Sequence, residues 1–297
     1  MALDAVRPAP PLAVAAPARG RPAVLLGRLL RGHLAKVGLL VIATLVVAAV
    51  LAPALAPYDP TEQRLERMLQ PPGGQHLLGT DDLGRDILSR VLYGARVSLL
   101  VGVLAVGISL LAGVSLGLVA GYRGGWVDDV TMRVMDGLLA FPALVLALAI
   151  TAALGPSLRN AMIAIGIVGI PGFARLVRGQ VLSLRAQEYV EAARAAGLAD
   201  GRIVVRHILP GTLAPIIVHA SLRVAFAVLA EAGLSFLGLG TQPPTPSWGS
   251  MLNTGREYLE MAPWLSVAPG AAIFVTTLSF NFLGDGLRDA LDPRLRV

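Results

Sequence analysis

The chain has 297 residues, 55% of them hydrophobic and only 15% charged, a composition that excludes an ordinary soluble domain and fits a bilayer. Its 25 Lys and Arg against 19 Asp and Glu leave a net charge of +6, but the basic residues flank apolar runs instead of gathering with aromatics on a soluble face, which argues against nucleic-acid binding. With no cysteine there is no disulfide, thiolate metal site or cysteine nucleophile; the four histidines, His33, His76, His207 and His219, lack the spacing of a metal pair, and the lone Lys36 sits in no P-loop, so any ATP hydrolysis must come from another chain.

Residues 1–23 are rich in Ala, Pro and Arg without periodicity, a composition that buries no core and reads as a disordered tail. Over residues 24–36, Leu25, Leu26, Leu29, Leu30 and Leu34 recur at helical spacing among Arg28, Arg31 and Lys36. This predicts a basic helix on the membrane surface, although a plain positive flank of the next span accounts for the same charges. Residues 37–94 hold the first span, Val37 to Ala56, followed by an outer loop; roughly 20 uncharged residues suffice to cross about 30 Å of hydrocarbon. Ala54-Leu55-Ala56 resembles a signal-peptidase site, but the long leader, the long apolar run and Pro57 argue against cleavage. Residues 95–297 carry five more predicted spans, at about Val97–Val119, Val134–Leu154, Ala161–Val177, Leu213–Leu239 and Leu265–Leu283. Gly102, Gly107, Gly113 and Gly117 on the second let helices approach closely. The fold class is therefore all-α: a polytopic membrane protein with about six transmembrane helices.

Positive charge sets the orientation. Arg7, Arg19, Arg21, Arg28, Arg31 and Lys36 precede the first span. Arg175, Arg178, Arg185, Arg194, Arg202 and Arg206 lie between spans four and five, and Arg288, Arg294 and Arg296 follow the last. The opposite loops are poorer in bases, so both termini and the loop after span four are expected to be cytoplasmic.

That loop, residues 185–210, carries the strongest functional signal. Strong helix formers run from Glu188 to a stop at Gly197, and a turn and a second short helix are expected to follow up to Pro210. Ala192, Ala193, Ala195 and Ala196 give the first helix a nearly smooth surface that a partner's backbone can approach, with Glu188, Glu191, Arg194 and Asp200 as charged contacts. An ordinary solvated amphipathic loop would show the same spacing.

Glu191-Ala192-Ala193, Gly197 and Leu209-Pro210 closely resemble the EAA loop of ABC importer permeases. In that family the loop forms a coupling helix seated in a cleft of the ATPase subunit. His207 stands where the general pattern has an aliphatic residue, and Arg206-His207-Ile208-Leu209-Pro210 is similar to the dipeptide, oligopeptide and nickel branch. Leu78 to Asp86, Ala140-Phe141-Pro142, Glu231 to Gly240 and Pro243 to Gly249 resemble the C-type subunit of these importers. The resemblance implies a bacterial inner-membrane, multi-pass permease subunit for di- or oligopeptides or a related small solute. It implies a homologous second permease, two ABC ATPase subunits that hold ATP and Mg, and a periplasmic or lipid-anchored solute-binding protein. No cofactor is expected in this chain itself. An ion-coupled secondary transporter is the rival reading, but no internal repeat supports it.

Span five contains His219, Arg223 and Glu231 within an apolar run. Ionisable groups at membrane depth usually face a bundle interior or a water-filled path, so these three are candidates for a translocation path. In the outer loop, Asp81, Asp82 and Asp86 stand beside Arg85 and Arg90, which predicts a folded loop packed on the bundle and not a catalytic cluster. Trp248 and Trp264 are expected near the outer membrane interface.

Overall fold

The apolar runs fold into long helices because, in hydrocarbon, a backbone must satisfy its own hydrogen bonds. The computed structural model describes residues 27, 29 and 32–291. The expected tail over 1–23, positions 24–26, 28, 30 and 31 of the expected surface helix and the basic residues beyond 291 lie outside the described residues, while His33 to Lys36 form the first turn of the helix that runs on to Val50. The elements are α1 (His33–Val50), α2 (Ala52–Leu55), α3 (Ile87–Arg123), α4 (Gly125–Leu139), α5 (Ala143–Leu154), α6 (Leu158–Arg185), α7 (Glu188–Ala195) and α8 (Asp200–Ile203). After a π-turn over Val204–Ile208 come α9 (Leu209–Phe236), α10 (Trp248–Gly255) and α11 (Trp264–Leu291). Among the described residues there is no strand, and five helices are long and apolar enough to cross a membrane, six if the bent pair α4–α5 forms one span.

The helices run past the predicted spans. α3 has 37 residues and, at 1.5 Å per residue, measures about 55 Å, well beyond a hydrocarbon core of about 30 Å. α6 continues to Arg185, so Arg175, Arg178 and Arg185 are helical residues and not loop charges. The two helices pack together along Gly113, Gly117 and Gly121. A Cβ at Gly117 would meet Ala174 O at 2.5 Å, and one at Gly113 would meet Ile170 O at 2.7 Å. Small residues four apart thus let the two backbones touch. Gly107, expected in the same stripe, faces open space.

The third predicted span is not one straight helix. α4 and α5 meet at 91° across Ala140-Phe141-Pro142. Pro142 has no N–H to donate, and the residue before a proline avoids helical backbone, so the apolar run breaks there. α4 is fastened to α6 by ion pairs: Arg178 Nε and Nη2 donate to Asp128 Oδ1 and Oδ2 at 2.5 and 2.6 Å, and Arg175 pairs with Asp136.

The connection between α2 and α3 is folded, as its charge pattern predicts. Asp81 accepts from the backbone N–H of Leu83 (3.0 Å) and Arg85 (2.9 Å) and from Arg85 Nε (2.6 Å), while Arg90 Nε lies 3.5 Å away. Asp86 caps α3 by accepting from Ser89 N (2.8 Å), and its other oxygen meets His76 Nδ1 at 2.9 Å. Burial and the neighbouring Asp81 raise the Asp82 carboxyl above its ordinary pKa. Trp264 Nε1 donates to Thr80 O (3.3 Å), tying the connection to α11. Trp248, expected at an aromatic belt, is only 1% exposed and donates from Nε1 to Val91 O (3.0 Å), so it is a core residue.

Candidate coupling site

An isolated helix of eight residues is unstable in water, so α7 must be held by its surroundings. Val190 and Ala193 are buried and join a core cluster with Val177 and Val181 of α6 and with Ile203 and Ile208 further along. Gly197 closes the helix at φ +77°: its N–H donates to Arg194 O (2.9 Å) and the Leu198 N–H to Ala193 O (3.2 Å), the two bonds of a Schellman cap. Leu198 then packs on the same cluster. Glu188 and Glu191 lie in the first turn, where the helix dipole favours negative charge, and Arg194 in the last.

With Val190 and Ala193 inward, Glu188, Glu191, Ala192 and Ala195 are all exposed. Their spacing of three and four places them on one outward face, two carboxylates beside two methyl groups. The sequence reading put Ala193 on the smooth surface as well. The structure turns it inward, because a helix with one buried stripe must spend every third or fourth residue on it.

Arg194 and Asp200, read as rim contacts, are tied to the end of α3. Tyr122 Oη donates to Asp200 Oδ1 (2.6 Å), the Arg194 guanidinium stands 5.9 Å from the Tyr122 ring centre, and Arg185 Nη1 donates to Gly121 O (3.0 Å). Tyr122 escaped the sequence reading, since nothing near it in sequence marks it as a strut. The expected second helix does not stop at Pro210. α8 continues through the π-turn into α9, with Leu209 and Pro210 as the first residues after the π-turn, where the helix has already left its regular i to i−4 bonding. Tyr189 Oη donates to His207 O (3.3 Å) across the turn. The loop is therefore joined, without a flexible break, to the helix that carries His219, Arg223 and Glu231.

Those three residues part company. His219 and Arg223 lie one turn apart, half-buried, on a face turned toward α6. The His219 ring meets Phe173 edge-on at 4.7 Å, and the Arg223 guanidinium lies 5.0 Å from the Phe226 ring centre. Glu231 is 0% exposed, and its Oε1 accepts from Ser235 Oγ (2.6 Å) and Thr241 Oγ1 (3.2 Å). A pathway group needs open surface, which Glu231 lacks; within this chain it ties the end of α9 to the connection leading to α10. Among the described residues, no three His, Asp or Glu side chains gather as metal ligands.

Comparison with known proteins places this arrangement. Residues 113–297 match the family described as binding-protein-dependent transport system inner membrane component, and residues 24–72 match the N-terminal TM domain of oligopeptide transport permease C. The dipeptide transport system permease protein DppC of Alkalihalophilus pseudofirmus is 50% identical over 91% of this chain and 88% of its own length. The glutathione transport system permease protein GsiD of Pectobacterium atrosepticum is 47% identical over 91% and 90%. A subunit of the MetNI methionine ABC transporter in an inward-facing conformation shares the fold, with a TM-score of 0.56 at 17% identity over 68% of this chain and 97% of that one. The chain belongs to the family of inner-membrane permease components of binding-protein-dependent ABC importers.

Proposed function

We propose that this permease forms half of a translocation path for short peptides or peptide-like solutes such as glutathione, and that α7 is its contact with a cytoplasmic ATPase. The observation that carries the reading is the outward face of Glu188, Glu191, Ala192 and Ala195, held on a capped helix whose other side is locked into the core. Small side chains leave room for a partner's backbone, and the two carboxylates offer charge to basic groups around a cleft.

A solute-binding protein delivers the solute at the outer side, where the folded connection before α3 lies. Two ATPase subunits, holding ATP and Mg, close on nucleotide binding. α7 carries that closure through α8 and the π-turn into α9 as a shift between two discrete arrangements. Both termini and α7 then lie in the cytoplasm, as the positive charges around them favour. The substrate class follows the dipeptide and glutathione transport system permeases that are close to half identical to this chain over nine-tenths of its length.

Purification of the tagged full-length chain in mild detergent tests this reading. A second, homologous permease and P-loop ATPases are expected to accompany it. A stable transport-competent complex without any ATPase would overturn the proposal.

A further inference from the structure

The pair His219 and Arg223 stands out as chemistry that packing alone does not use. Two glycines of α6, Gly169 and Gly172, lie opposite them. A Cβ at Gly169 would come within 2.9 Å of Arg223 Nη2, and one at Gly172 within 3.1 Å of His219 Nε2. α6 is therefore notched where the two polar heads sit. Arg223 has no carboxylate within 4.0 Å among the described residues, and its contacts are the Phe226 ring and the notch beside Ser109. The Ser109 hydroxyl shares its single hydrogen between the carbonyls of Ala105 (3.0 Å) and Gly166 (2.7 Å) and brings no negative charge to the guanidinium. His219 Nε2 is buried and makes no hydrogen bond.

A guanidinium at membrane depth with no counter-charge is costly, as is an orphaned imidazole nitrogen, and such groups are retained where a polar ligand or water meets them. The space for one exists. A cavity of about 460 Å³ opens beside His219, lined also by Leu176, Val218, Leu222, Asp285 and Arg288; Arg223 follows the lining Leu222 in sequence and is not itself part of the lining.

We infer that His219 and Arg223 form a carboxylate station on the solute's route, at which the guanidinium offers paired N–H donors and the imidazole a further hydrogen bond. Arg suits this task because its planar fork matches a carboxylate. The solute class is an organic acid with a free carboxylate, such as the C-terminus of a peptide. The inference rests on the permease reading above.

The absence of cysteine from this chain gives a direct test. Leu222→Cys and, separately, Val218→Cys place one reporter thiol at the cavity. Each is treated, in the assembled complex cycling with ATP and binding protein, with an anionic and a cationic methanethiosulfonate reagent, and labelling of this chain is read by mass spectrometry. The expected result is that the anionic reagent is favoured, and that adding Arg223→Gln lowers the anionic-to-cationic rate ratio about tenfold, the order of effect of removing one nearby charge in a partly wet site. Arg223→Lys should retain most of the preference. A ratio unmoved by Arg223→Gln at both reporters, or no labelling of either, overturns the inference. Retained ATPase subunits and ATP hydrolysis in the same samples would show that the importer reading survives such a failure.

Discussion

Gly197 makes the sharpest prediction about the coupling loop. Its φ of +77° lies in the left-handed region, and a Cβ added there would meet nothing within 4 Å, so the cost of Gly197→Ala is purely that of the backbone. An L-residue in this region costs roughly 1–2 kcal/mol, and 1.4 kcal/mol is about a factor of ten in an equilibrium. The ratio of capped to frayed α7 should therefore fall by about tenfold. The two amides that report it are those of residue 197, bonded to Arg194 O, and Leu198, bonded to Ala193 O. Hydrogen exchange on the purified complex should show both losing about tenfold in protection, and uptake per ATP hydrolysed should fall. Gly201→Ala is the control, since Gly201 lies in helical backbone with open space around it and the change should leave protection equal or higher. Equal losses in the two variants, or unchanged protection at Leu198, would refute the capping argument and with it the rigid docking surface.

Gly117→Ala pushes a Cβ to 2.5 Å from Ala174 O, so it should cost about 1–3 kcal/mol and lower the thermal midpoint, while Gly107→Ala, facing open space, should change it little. Asp81→Asn leaves Arg85 and Arg90 buried with only Asp82 as counter-charge, and should destabilise the connection before α3 by about 3–5 kcal/mol, seen as raised hydrogen exchange over residues 58–86. The Asp82 pKa is raised by burial and by Asp81, so its charged form is penalised in the fold. Its stabilising share is complete only below its unfolded pKa and is lost as pH rises through the folded value. Asp82→Asn should therefore raise the unfolding midpoint at pH 7, and the gain should vanish as the sample is acidified through the carboxylate range.

Hydropathy was enough to read the helical class and the number of apolar runs, because each is written in contiguous residues. Pro142 ends a helix, yet Pro171, Pro215 and Pro269 sit inside continuous ones; whether a proline breaks a helix depends on neighbours that re-satisfy the freed carbonyl, and those are distant in sequence. Tyr122 and Asp200 are 78 residues apart, and Arg178 and Asp128 are 50 apart, so neither pairing leaves a local trace. Arg175 and Arg178 were legible only as positive charge near a span end. Their partners on α4 turn that charge into a brace. For Glu231 the sequence could show a carboxylate at membrane depth, but only the fold reveals that Ser235 and Thr241 enclose it.

Whether the outward face of α7 meets an ATPase can be read directly, because the chain's lack of cysteine makes one measurement decisive. Ala192→Cys, carrying a photoactivatable crosslinker, is to be irradiated in membranes containing the complete transporter. The predicted result is one major adduct, between position 192 and a P-loop ATPase subunit, whose yield changes with nucleotide; adducts with lipid or other membrane proteins alone, while the ATPase is present in the complex, would contradict the account.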